Sequence, residues 1–358
     1  MKFILALVLL ILAALGGYAA YWFIAAERIK GETDEWAEAR QAEGWMVSRE
    51  TLEVQGFPAA HRIVVTGLDL TAPPESGGWA IMDAALRIDA GGPFDFNRWI
   101  VRPQSEIRLR MQDGEEVTLS AAESRLELET EDGPISHFHA EARALSIASA
   151  AAPLRSAESA SMQGDRIAGA WRVLLESRNT DLADAAFGDA QAAFGDRIAL
   201  LTLDLQAQEE GLAALAAGFA GLQDAGELSV NAARLEWGAA VLDGQGALGV
   251  DMSGRLRGAF DVALADAEAF LRALADAGAL DARQANVAVA AISFFPRDED
   301  DRVVVPFTFR DGETLLGPVA IGPAPLVLRQ TGAPDAAQAP GQAPAPTPVP
   351  QALAPAPL

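Results

Sequence analysis

Two stretches of the chain, residues 45–178 and 227–264, alternate apolar and polar residues over many short segments. Such period-two alternation is typical of strands that bury one face. Turn dipeptides such as Asp113-Gly114 separate the segments, because glycine supplies the positive φ that tight hairpins need. The pattern predicts a mainly β fold with a few helices (α+β), built from extended antiparallel sheets.

The predicted elements follow the chain in a simple order. Strands are predicted over residues 46–54, 61–70, 81–90, 106–111, 115–129, 137–147, 166–176 and 198–206, and again over 227–237, 239–252, 255–264 and 302–309. Helices are predicted over residues 209–221, 267–277 and 282–292, the second capped by Asp266, and residues 180–195 are interpreted as a loop. The apolar strand faces, for example at Ile63 and Val65, leave two alternatives open, a closed core and an open β-groove.

The N-terminal segment predicts a membrane anchor. Residues 3–26 carry no charge and have about the length that a helix needs to cross a bilayer. Tyr18, Tyr21 and Trp22 fit interfacial aromatic positions at its far end. A cleavable signal peptide is the alternative for this segment. Either reading indicates export, and we expect an inner-membrane, single-pass protein with its main body in the periplasm.

These features divide the chain into five parts. We predict a transmembrane anchor or signal segment at 1–26, a charged stalk helix at 27–44, an N-terminal β-rich domain at 45–208, a C-terminal β-meander with a helical pair and hairpin at 209–328, and a disordered Pro/Ala-rich tail at 329–358. The tail is interpreted as a spacer, a docking segment or an inert extension.

Charge and cysteine content exclude several classes of function. The net charge is -23, whereas a nucleic-acid-binding protein needs a basic patch, so nucleic acid is not an expected partner. The chain has no cysteine, which excludes disulfides, thiol nucleophiles and thiolate zinc sites.

No motif in the sequence indicates catalysis or a cofactor. The serine-hydrolase elbow, the phosphate-binding loops and the His-Glu-x-x-His zinc motif are all absent. His137 and His139 share a strand face, but a metal site needs a third ligand that the sequence does not place. His61 is interpreted as a surface strand residue, and the acidic run 298–301 as a solvated loop. We therefore predict no catalytic, cofactor-binding or metal residues, although a pair of carboxylates in so acidic a chain stays an open alternative.

Short motifs in a definite order resemble those of a known family. They are Val54-Gln-Gly-Phe-Pro58, Trp237-Gly238, Leu242-Asp-Gly244, Ala277-Gly-Ala-Leu280, Val305-Pro-Phe-Thr-Phe-Arg-Asp-Gly312 and Leu316-Gly-Pro318. The chain resembles, over residues 1–328, the alphaproteobacterial family called domain of unknown function 2125. The resemblance implies architecture and an envelope location, and it carries over no site residues. The layout is also similar, more distantly, to AsmA-like envelope proteins that handle lipids.

The sequence therefore predicts a non-enzymatic envelope protein that binds lipid or a protein partner at the inner membrane. Two alternatives remain, an envelope hydrolase that uses unidentified acidic residues and a scaffold that acts through its proline-rich tail.

Overall fold

Alternating segments of the sequence fold into strands over most of the chain. The computed structural model describes residues 2–131, 133–208, 227–278, 289–290, 294–316 and 319–325; for residues 2–13, 75, 319 and 321 it describes the backbone alone. The predicted helix at 209–221, most of the one predicted at 282–292 and the C-terminal tail lie outside the described residues.

Eighteen strands are described. The first nine are β1 (Met46–Ser48), β2 (Thr51–Gln55), β3 (Arg62–Thr71), β4 (Ala80–Ala90), β5 (Arg98–Pro103), β6 (Ile107–Arg110), β7 (Glu116–Ser120), β8 (Glu123–Thr130) and β9 (Ile135–Ala148). The others are β10 (Leu154–Ile167), β11 (Ala170–Leu182), β12 (Arg197–Gln208), β13 (Leu228–Trp237), β14 (Ala240–Val250), β15 (Leu256–Leu264), β16 (Val303–Arg310), β17 (Glu313–Leu316) and β18 (Val319–Pro323).

All eighteen strands belong to one antiparallel sheet. From β8 to β18, each strand pairs with the next along the chain, so this part is a long meander. At the other end, β3 pairs with β1, β2 and β4, and β4 pairs with both β5 and β6. β12 pairs directly with β13, so the sheet continues across the predicted boundary at residue 208. The prediction of a β-rich fold with a large antiparallel sheet is confirmed.

Several details of the strand prediction are wrong. The strands predicted at residues 46–54 and 115–129 are each divided into two, β1 with β2 and β7 with β8. β5 and β10 were not predicted, and the strand predicted at residues 166–176 contains the turn between β10 and β11 at Ala168 and Gly169. The reason is composition: β10 consists largely of small and polar residues, so its alternation is weak. The loop predicted at residues 180–195 instead contains the end of β11 and a short helix.

Three helices are described besides a short 3₁₀ turn at Pro74–Ser76: α1 (Lys2–Ala42), α2 (Gly188–Phe194) and α3 (Ala267–Asp276). The predicted cap of α3 is confirmed, because the Asp266 carboxylate accepts a hydrogen bond of 2.8 Å from the Ala269 N–H. α2 and α3 pack together near β11–β13, where Phe194 stacks on Phe270 at 5.1 Å.

The helix at the N-terminus differs from the predicted membrane anchor. Among the residues whose side chains are described, no helix combines the length and the apolar character needed to cross a membrane. The first part of the predicted span lies outside that set, since residues 1–13 have no described side chains. In its second part, Trp22 and Ala26 are buried, and Trp22 donates a hydrogen bond of 3.0 Å to the Ala60 carbonyl. One side of this part of α1 therefore packs on the protein, while Phe23 and Ile24 on the same stretch are exposed.

The sheet has one apolar face and one polar face, because successive side chains alternate between them. α1 lies on the apolar face at the β2–β5 end, where Ile29 packs with Ile63 and Val65. α2 and α3 lie on the same face near β11–β13, over a cluster that contains Trp237. The apolar face between these two helical covers forms the candidate site.

Charged side chains on the polar face form ion pairs across neighbouring strands. Asp89 accepts hydrogen bonds of 2.8–2.9 Å from three arginines, Arg62, Arg87 and Arg102. Burial raises the pKa of Asp89, but the hydrogen bonds from Arg62 and Arg87 together lower it by more, so the pKa of Asp89 lies below the ordinary value. Such cross-strand pairs stabilise the register and keep this face in contact with water.

Candidate functional site

A row of small side chains crosses four strands on the apolar face. Ser124, Ala142, Ala160 and Ser177 are successive cross-strand partners on β8, β9, β10 and β11. Because neighbouring strands are about 4.8 Å apart, the row is roughly 14 Å long. It runs perpendicular to the strands and forms the floor of a depression, which we call the trough.

Larger side chains stand on both sides of the floor. One wall is the cross-strand row Leu126, Ala140, Met162, Leu175 and Leu203, and the other contains Leu145, Ala157, Thr180 and Ile198. The two hydroxyls nearest the floor on β11 bind each other, since Ser177 Oγ and Thr180 Oγ1 are 2.6 Å apart. The surface offered to a ligand is therefore almost wholly hydrocarbon.

The trough encloses about 570 Å³ and is open on one side. Ile198 and Leu201 also belong to the cluster under α2 and α3, so these helices close one end. Met162, on the wall, keeps 40% of its surface exposed. The volume lies within the range of about 300–1,000 Å³ that is common for small-molecule sites.

A second cavity, of about 830 Å³, lies between α1 and strands β3–β5. Ile88 and Trp99 are part of its apolar lining, and Tyr21 and Ile24 of α1 lie on its helical side. Trp99 and Val101 are two residues apart on β5 and so point to the same face, and Val101 lines the trough. The two cavities are neighbours on one apolar surface.

The backbone along most of the trough floor is engaged in the sheet on both sides. Ala142, Ala160 and Ser177 each have cross-strand partners on two neighbouring strands, whereas the register of β8 with β5 ends at Leu126 and does not reach Ser124. A buried peptide N–H or C=O needs a hydrogen-bond partner. An extended peptide laid over these three floor residues would find no such partner on the sheet, whereas a hydrocarbon chain needs none.

The histidines singled out in the sequence do not converge on a site. His137 and His139 share the polar face of β9 as predicted, and they bind separate carboxylates: His137 Nδ1 is 2.7 Å from Asp165, and His139 Nε2 is 3.7 Å from Glu141. The hydrogen bond from His137 lowers the pKa of Asp165. Within the described residues, no group of three or more His, Asp or Glu side chains is arranged to hold a metal.

His61 was predicted to be exposed, and this is wrong. Its side chain is fully buried, stacked on the Trp22 ring at 5.1 Å. The sequence around it gives no sign of burial, because the covering residue is 39 positions away on α1.

The acidic run 298–301 is a solvated loop, as predicted, with Asp300 and Asp301 exposed. Asp298 and Asp243 both bind Arg302. Burial raises the pKa of Asp298, but hydrogen bonds from the N–H and guanidinium of Arg302 lower it below the ordinary value. A carboxylate held in this way stays ionised and is a poor general acid at neutral pH.

The trough itself was missed by sequence reasoning. Its floor residues come from four strands, and the row appears only once the register is known. The available signal was the run of small residues in β10, which the hydrophobic pattern alone does not identify as a strand.

A family model matches most of the chain. The model of a family described as an uncharacterized protein conserved in bacteria, DUF2125, matches residues 22–325. No curated protein and no solved structure matches the chain significantly.

Proposed function

The chain belongs to the DUF2125 family of uncharacterized bacterial proteins, and we propose that it is a non-enzymatic envelope protein whose trough binds the acyl chain of a lipid. The observation that carries the proposal is the open hydrocarbon surface of the trough, about 570 Å³ in volume, on the face of a sheet whose other face is charged.

Apolar burial supplies the binding free energy in this proposal. Each methylene that leaves water for an apolar surface contributes about 0.8 kcal/mol. A ligand with several methylenes in a row gains most from a straight trough such as the row from Ser124 to Ser177. A polar ligand gains little binding free energy from this floor, because the hydroxyl of Ser177 is already hydrogen-bonded to that of Thr180.

The engaged backbone favours a lipid over an extended peptide. A protein partner that binds as an amphipathic helix satisfies its own backbone, but it is about 10 Å across with its side chains. The floor of the trough is one residue wide between its two walls. A single hydrocarbon chain matches that width better.

An envelope location is part of the proposal and rests on the sequence. The uncharged segment at residues 3–26 indicates export or membrane association, and the absence of cysteine suits a periplasmic protein. Expression in a bacterium followed by separation of periplasm, membrane and cytoplasm tests the location directly.

Native mass spectrometry of the gently purified full chain, followed by lipid extraction, tests the binding. We expect phospholipid or fatty acid to co-purify at a fixed ratio. In the same experiment, an Ala160→Phe variant tests the position of the site. The added ring fills the floor of the trough, so less lipid should co-purify with this variant. A wild-type chain that is free of lipid after mild extraction, and that takes up none from vesicles, contradicts the proposal.

A further inference from the structure

The middle of α1, where the helix meets the sheet, forms an exposed aromatic surface with two strand connections. Phe57 lies in the connection from β2 to β3, and Phe94 in the one from β4 to β5. Arg62, at the start of β3, pairs with Asp89, near the end of β4, so both connections lie at the same end of the sheet.

Ring contacts join these connections to α1. The Phe57 ring stacks on Phe23 at 5.7 Å, and the Phe94 ring lies 5.0 Å from Tyr21. The hydroxyls of Tyr18 and Tyr21 donate hydrogen bonds to the carbonyls of Pro58 and Pro93, so their polar ends are already satisfied. The helix and both loops therefore hold one another in place.

The surface stays exposed in spite of these contacts. Phe94 is 67% exposed, Phe57 49%, Phe23 58% and Ile24 69%. Monomeric proteins in water rarely gather large apolar side chains from three chain segments unless the patch binds something. We call these four residues the docking patch.

We propose that the docking patch inserts into the interfacial layer of a lipid bilayer. Two observations select a membrane as the occupant. α1 begins at Lys2, and residues 3–26 carry no charge, so the patch lies where an uncharged helical segment joins the sheet. About one turn further along α1, the charged side chains begin with Glu27 and Arg28. Aromatic side chains at an apolar-to-charged boundary are typical of the membrane–water interface.

The proposal concerns a surface separate from the trough. Membrane insertion of the docking patch can therefore be tested independently of lipid binding in the trough, with variants that leave the trough unchanged.

Site-specific labels test the proposal in the full chain. Because the chain has no cysteine, Phe57→Cys and Phe94→Cys each accept a single environment-sensitive fluorophore. Met111→Cys is the matched control, because Met111 is also apolar and 43% exposed. It follows Arg110, whose cross-strand partner Ala80 lies at the other end of β4 from the docking patch. The length of β4 places Met111 roughly 35 Å from the patch. The labelled chains are reconstituted with phosphatidylcholine vesicles that carry nitroxide lipids.

We expect the labels at positions 57 and 94 to shift to the blue and to be quenched by a shallow nitroxide, and the label at 111 to show neither change. Adding Phe94→Glu to the Phe57→Cys chain should reduce quenching to the level of the Met111 control, because burying a charge in the apolar layer is unfavourable. Labels at 57 and 94 that behave like the one at 111, or quenching at 57 that survives Phe94→Glu, would overturn the proposal.

An Ala142→Phe substitution in the labelled chains separates the two functions. It fills the trough but does not touch the docking patch, so the quenching should be unchanged. If quenching is lost in this variant, the labels report lipid in the trough and the docking proposal is wrong.

Discussion

Ala142→Phe and Ala160→Phe place a phenyl group on the floor of the trough. The two alanines are cross-strand partners on β9 and β10, and both are half-buried under open space. Since the added ring extends into the trough rather than into a packed core, we expect little overpacking. The fold should remain intact, with stability changed by less than about 1 kcal/mol.

The size of the effect follows from the methylenes that the ring displaces. The floor is roughly 14 Å long, and a phenyl group blocks part of it. If three methylenes of a bound chain are forced back into water, at about 0.8 kcal/mol each, binding weakens by about 2.4 kcal/mol. That corresponds to a dissociation constant about 60-fold higher.

Titration of the purified chain with a phospholipid that carries a fluorescent acyl chain measures this change. Thr202→Phe is the matched control. Thr202 lies on the polar face of β12, where its cross-strand partners are Glu176 and Arg234, so the substitution adds the same ring outside the trough. Wild-type affinity in both alanine variants, or an equal loss in Thr202→Phe, would refute the assignment of the trough as the lipid site.

Three further predictions concern stability and uptake. Asp89→Asn removes the carboxylate that three arginines share, and should lower the free energy of unfolding by about 2 kcal/mol in urea titrations. Because the pKa of Asp89 is lower in the folded chain than in the unfolded one, its contribution is present above the unfolded value of about 4 and lost as the pH falls through the folded value. Asp266→Ala should cost about 1 kcal/mol in the same assay through loss of the α3 cap. Ala25→Trp fills the cavity between α1 and the sheet, and should slow lipid uptake from vesicles while leaving the affinity for detergent-dispersed lipid unchanged. Ala39→Trp, at an exposed position of α1, is the control and should change neither quantity.

The sequence was informative wherever one strand carries its own hydrophobic pattern. β3, β4 and β12 alternate clearly and were predicted within a residue or two, and the α3 cap follows from Asp266 alone. β10 was missed because most of its residues are small or polar, including Ala160 on the trough floor, so its hydrophobic alternation is weak. The burial of His61 and the packing of α1 depend on contacts between distant segments, which local patterns do not contain.

The trough and the docking patch are connected by the cavity under α1. Ile24 belongs to the patch and Tyr21 contacts its Phe94 ring, and both residues also line that cavity, whose lining includes Trp99. From Trp99 the same apolar face continues on β5 to Val101 at the edge of the trough. A hydrocarbon chain that leaves a bilayer at the patch would thus meet mostly apolar surface, although Arg28 and Glu32 also line the cavity under α1. The opposite face of the sheet carries cross-strand ion pairs in water, so within the described residues such a path is energetically more favourable on the apolar face.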